Sequence, residues 1–122
     1  MFRIHPRTCG AITILDLAGL LAAGEPAAAL RDEVAQLGTA GCRQILLNMA
    51  RVRCRDAAAL NALLAAHKAA RDSNAELGLV HVTEGVPNLA IALALHTHFD
   101  VYDSETRALA STSNRSEGEK AA

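Results

Sequence analysis

Apolar positions change their spacing repeatedly along this chain, and each change predicts an element. In AITILDLAG (11–19), Ile12, Ile14 and Asp16 alternate with Leu15 and Leu17. Apolar residues on both sides predict a strand covered on at least part of each face. Phe2 to Arg7 has the composition of a short edge strand, and Thr8-Cys9-Gly10 that of a turn. Gly19 to Gly24 reads as a loop. Ala27, Leu30, Val34 and Leu37 then recur at three- and four-residue steps, with Arg31, Asp32 and Glu33 turned outward. This is a helix opened by Glu25 and Pro26, where a missing amide proton costs nothing, and closed by Gly38 or Gly41.

The second half repeats the alternation. QILLNM (44–49) is a short apolar run between a glycine turn and a charged loop, which predicts a central strand. Asp56 caps the next helix, with Leu60, Leu63, Leu64 and His67 on one stripe until about Asp72. ELGLVHV (76–82) sets Leu77, Leu79 and His81 against Gly78, Val80 and Val82, the pattern of another strand. A third helix is expected from about Val86 to Leu95, with Leu89 and Leu93 four apart. VYD (101–103) is short and β-prone, and Ser104 caps a final turn through Leu109. The order β-β-α-β-α-β-α-β-α implies an α/β domain over 1–111: a mixed sheet of four to five strands with about four helices packed on it. Residues 112–122, TSNRSEGEKAA, carry nothing to bury and are expected to be disordered.

Composition narrows the function classes. Only Phe2, Phe99 and Tyr102 are aromatic, so the core must be built from Leu, Ile, Val and Ala. A net charge of -1 argues against a nucleic-acid binder, because counterion release needs a surplus of Lys and Arg. No apolar run reaches the roughly 18 residues of a membrane span, so no membrane insertion is expected. Cys9, Cys42 and Cys54 are too scattered for a disulfide framework and read as free thiols in a reducing, cytoplasmic setting. Cys54 lies between Arg53 and Arg55, which sets a reactive thiol against a plain buried residue.

Candidate chemistry concentrates in RVRCRDAAALN (51–61). Arg51, Arg53 and Arg55 alternate just before the helix that Asp56 opens, which sets an anion site beside a positive dipole end against three merely solvated side chains. Ala57, Ala58 and Ala59 form the first turn, and no Ser, Thr or Tyr occurs from Ala40 to Asp72. His96 and His98 form a close histidine pair without a third metal ligand in the sequence nearby. No nucleotide, metalloprotease or nucleophile-elbow motif occurs, so no catalytic set, metal or cofactor is expected.

Three stretches together resemble the STAS domain, the fold of bacterial anti-sigma factor antagonists. ITILDLAGLL (12–21) looks like its second strand. RQILLNMARVRCRDAAAL (43–60) looks like its central strand, loop and Asp-Ser-Ser-Gly-Leu helix start. ALHTHFDVYDSETRAL (94–109) looks like its last helix, short strand and closing helix. The resemblance matches Asp56 and Leu60 to the motif. It puts Ala57 and Ala58 where the family has serines, Ala59 where it has glycine, and Asn48 where an aspartate is common. In the family's phosphoswitches the second hydroxyl is phosphorylated by an anti-sigma factor that is also a kinase; here that position is Ala58, so no phosphoacceptor is expected.

The resemblance thus implies a non-catalytic interaction domain that docks on an anti-sigma factor or other ATP-binding regulatory protein. Its partner-binding residues would be Arg53, Arg55, Asp56, Ala57, Ala58, Ala59 and Asn61, and a homodimer is compatible with it. Two alternatives are the STAS subunit of a lipid-transport ATP-binding-cassette complex and a nucleotide or anion sensor using the 51–55 arginine loop.

Overall fold

The computed structural model of the chain describes residues 2–54, 56–82, 89–102 and 104–110. Expectations for the 112–122 tail, for Arg55 and for a third helix starting at Val86 lie outside the described residues. Strands β1 (Arg3–Cys9), β2 (Ile12–Leu20), β3 (Gln44–Arg53), β4 (Glu76–Val80) and β5 (Asp100–Tyr102) form one sheet in that spatial order. β1 and β2 are antiparallel, and the remaining neighbours are parallel. Helices α1 (Glu25–Thr39), α2 (Ala57–Asp72) and α3 (Leu89–His98) connect the parallel strands, and a helix α4 covers 105–110. Parallel neighbours need such crossovers, which is why helices follow each of these strands. The mixed α/β sheet read from the sequence is the one observed.

The opening hairpin is tighter than its composition suggests. Cys9 pairs with Ile12, so Thr8 and Cys9 belong to β1 and the turn is Gly10-Ala11. Gly10 sits at φ 63°, the positive region that two-residue hairpin loops require. β2 also continues to Leu20, through part of the expected loop.

The larger departure is in β3. Residues 50–53 are not a loop: Ala18 pairs with Arg51, Gly19 with Val52 and Leu20 with Arg53, and Leu21 N donates to Arg53 O at 3.0 Å. The register slips between Asp16 and Ala18, where the pairing Asp16–Asn48 is followed by Ala18–Arg51. Met49 and Ala50 therefore both oppose Leu17, which is a β-bulge. The bulge inverts the facing of every later residue. Ile45, Leu47 and Met49 point to the helix-side core before it, and Val52 and Cys54 do so after it. Arg51 and Arg53 are consequently exposed on the other face.

Two apolar layers cover the sheet unequally. The main core joins Leu15, Leu17, Leu47, Leu30, Val34, Leu63 and Leu95, and so lies under α1, α2 and α3. On the opposite face Ile12, Ile14, Leu46 and Val80 are sealed by Ala108 of α4. The helix stripes differ from the sequence reading. In α2 the buried face is Ala59, Ala62, Leu63, Ala66 and Ala70, with Leu60 and Leu64 at its margin. Small side chains suit a helix wedged between a sheet and a second helix. In α3, Ile91 and Leu95 are buried and Leu93 is 58% exposed, so Leu93 does not belong to the packed stripe. β4 ends at Val80 because His81 takes a positive φ of 60°, which breaks the expected alternation there.

Candidate functional site

The chain leaves β3 through buried Cys54 and enters α2 at Asp56. Asp56 is extended (φ −149°, ψ −175°), and its Oδ1 accepts from Ala58 N at 3.0 Å. Its backbone carbonyl accepts from Ala59 N at 3.1 Å. Two of the helix's orphan amides are thereby satisfied, and the cap contributes about 1 kcal/mol. Ala57 and Asn61 are exposed, one turn apart on the same side of the helix; Ala58 is half-buried. Ala59 is fully buried against the core. Asp56, Ala57, Ala58 and Asn61 thus form one small surface at the carboxyl end of the central strand.

Arg51 and Arg53 do not join that surface. Arg53 lies on β3 and, with Arg51, faces away from the layer that holds α2, so the expected anion site of arginines beside the helix dipole does not assemble from these two residues. Arg55 is outside the described residues.

Cys54 is the plain buried residue of the two readings. Burial pushes its thiol up to about 11, overriding any help from neighbouring cations. At pH 8 only about one thiol in a thousand would be ionised. In the native protein iodoacetamide should label exposed Cys9 first and leave Cys54 untouched until denaturant is added. Native labelling of Cys54 at a rate comparable with Cys9 would show the strand end to be open.

His96 and His98 are exposed at the end of α3. With His67 and Arg71 they border a concavity of about 510 Å³. His67 packs its ring edge-on against Phe99, with centroids 5.0 Å apart, and burial lowers its pKa, so it sits at the core edge as a neutral ring. Among the described residues no group of three or more His, Cys, Asp or Glu side chains is arranged to hold a metal ion.

One constellation escaped the sequence reading altogether. Arg7 of β1 donates to both carboxylate oxygens of Asp16, the Nη2 bond being 2.9 Å, and to Glu105 Oε2 of α4 at 2.7 Å. Asn48 Nδ2 donates to Asp16 Oδ1 at 2.8 Å, and Asn48 Oδ1 accepts from Ala50 N at 3.1 Å. The Arg7 guanidinium holds the Asp16 carboxyl below its ordinary range, with help from Asn48. The network ties β1, β2, β3 and α4 together, and Asn48 secures the bulge that turns Arg51 outward. A polar Asp16 and Asn48 inside apolar strands were the available signal.

This fold matches known proteins. The family model described as Mlab, STAS domain matches residues 5–102. A candidate anti-sigma factor antagonist from Thermotoga maritima superposes with a TM-score of 0.73 at 20% identity, covering 88% of this chain and 92% of that one. SpoIIAA, an anti-sigma factor antagonist in its unphosphorylated form, gives a TM-score of 0.66 at 12% identity, covering 93% and 98%. An anti-sigma factor antagonist from Mycobacterium paratuberculosis gives 0.66 at 14% identity, covering 91% and 93%. No curated protein matches the chain in sequence. The chain belongs to the STAS domain family.

Proposed function

We propose that this chain is a non-catalytic docking domain for an ATP-binding regulatory protein, an anti-sigma factor or related kinase, and that it lacks the serine phosphoswitch. The observation that carries this reading is the first turn of α2. It is capped, solvent-facing at Asp56, Ala57 and Asn61, and offers only methyl groups where a kinase needs an oxygen. A phosphoserine at such a place would bring nearly two negative charges to free amides and reset an interface. Alanine holds the surface permanently in its unphosphorylated state. Control then passes to the amount of protein or to the nucleotide state of the partner. Membership of the STAS family and the likeness to anti-sigma factor antagonists support the reading.

A second reading, the STAS subunit of a lipid-transport ATP-binding-cassette complex, is favoured by the matching family model, which is described as Mlab and not as a sigma-factor regulator. Both readings use a surface on an ATP-binding partner, and the identity of the protein that co-purifies from the native host separates them. Hydrogen exchange of the chain with and without that protein locates the surface. Slowed exchange is expected in residues 56–61. Slowing confined to α3 or to β1 would sink the proposed docking site.

A further inference from the structure

The face of the sheet away from α1 and α2 carries a second feature that the docking reading does not use. Arg3 of β1 pairs with Ala18 of β2, and Ala18 pairs with Arg51 of β3. Residues paired across strands share a face, so two arginines stand on either side of one methyl group. With strands about 4.8 Å apart, their backbones are separated by roughly 10 Å. One row along, His5, Asp16 and Asn48 stand in line in the same way. Together with Arg7 these residues line a concavity of about 460 Å³ with Ala18 also in its wall, within the size range of small-ligand pockets.

The charge in this concavity is unbalanced. Asp16 is its one acidic residue, and Arg7 already binds both of its oxygens. Among the described residues neither Arg3 nor Arg51 forms an ion pair. Arg53, paired with Leu20 beyond Arg51, adds a further exposed cation to the same face. Arg3, Arg51 and Arg53, three exposed guanidinium groups without an ion pair among the described residues, thus share one face of a chain whose net charge is -1. Low-dielectric walls lined by one sign of charge focus the field and raise the local concentration of anions. Arginine forks match the oxygens of phosphate in geometry as well as charge. Ala18 leaves room between them that a larger residue would fill.

We propose that this concavity binds a small phosphorylated ligand, a phosphate or diphosphate group held between Arg3 and Arg51. The site depends on the bulge at Met49 and Ala50, which turns Arg51 onto the open face. It is independent of docking at α2, which lies on the other side of the sheet.

The test is titration calorimetry of the full chain at low salt with three probes: inorganic pyrophosphate, ADP and adenosine. Pyrophosphate and ADP should bind and adenosine should not. ADP binding more tightly than pyrophosphate places an organic body in the remaining volume; equal binding identifies the phosphate alone as the ligand. The double variant Arg3→Gln/Arg51→Gln should weaken both anions at least tenfold while keeping the wild-type circular dichroism and melting temperature. Arg43→Gln, at the opposite end of β3, should change neither affinity. Absence of binding by both anions, equal affinity in the double variant, or equal weakening by Arg43→Gln would overturn the proposal.

Discussion

Replacing Leu47 with alanine is expected to destabilise the protein by about 4 kcal/mol, the upper part of the range for buried Leu→Ala changes. Leu47 is fully buried at the middle of the central strand, between Leu15 of β2 and Leu79 of β4. Its neighbours are held from both sides by the sheet, so the cavity left behind cannot collapse. A domain of this size has only about 5–15 kcal/mol in total, and the melting temperature should fall by roughly 15 °C. Leu93→Ala is the control: Leu93 is 58% exposed, and its loss should stay within about 0.5 kcal/mol. Urea and thermal unfolding of the two variants read the difference directly. A Leu47→Ala cost under 1 kcal/mol would mean that β3 is not the middle of the core.

The second large effect is a reversal of sign. Gly38 is the next-to-last residue of α1, and glycine in mid-helix ordinarily costs about 0.5–1 kcal/mol relative to alanine, an upper bound here. Gly38→Ala should nevertheless destabilise, by about 1–2 kcal/mol, because overpacking outweighs the helix gain. A methyl at position 38 would stand 2.4 Å from Ser73 Cβ and 2.8 Å from its Oγ. Cβ is fixed to the backbone that closes α2, so the ends of α1 and α2 must move apart. Ser73→Gly removes both opposing atoms, and the double variant should recover most of the loss. A double-mutant cycle showing no coupling would rule out this contact as the reason for Gly38.

The particular residues show why some of this was legible and some was not. Strand and helix positions followed from period alone where one face is dry and the other wet, as in α1 with Leu30 and Val34 buried against exposed Arg31 and Asp32. The alanine face of α2 was hidden because alanine contributes little contrast, and the leucines beside it drew the stripe one position aside. Leu93 misled for the converse reason: α3 is apolar nearly all round, so periodicity cannot choose its inner side. The arginine segment was read as a loop because the bulge interrupts alternation at Met49 and Ala50, and only the paired strand β2 shows that RVR is still sheet. Asp56 as the cap of α2 was visible from Asp followed by helix formers, a purely local rule. The Arg7–Asp16–Glu105 network joins residues as far apart as 98 positions; a polar Asp16 in an apolar strand signals a partner, but no local rule names Arg7 or Glu105.

The capped first turn of α2 is proposed as a docking surface that Ala58 keeps free of phosphate. The most direct measurement is the affinity of the host's ATP-binding partner for the wild-type chain and for Ala58→Glu. A glutamate in the first turn favours the helix dipole, so the fold should persist while a negative charge enters the interface. At least a tenfold loss of affinity is expected. An affinity within twofold of wild type, in a variant with unchanged circular dichroism, would contradict it.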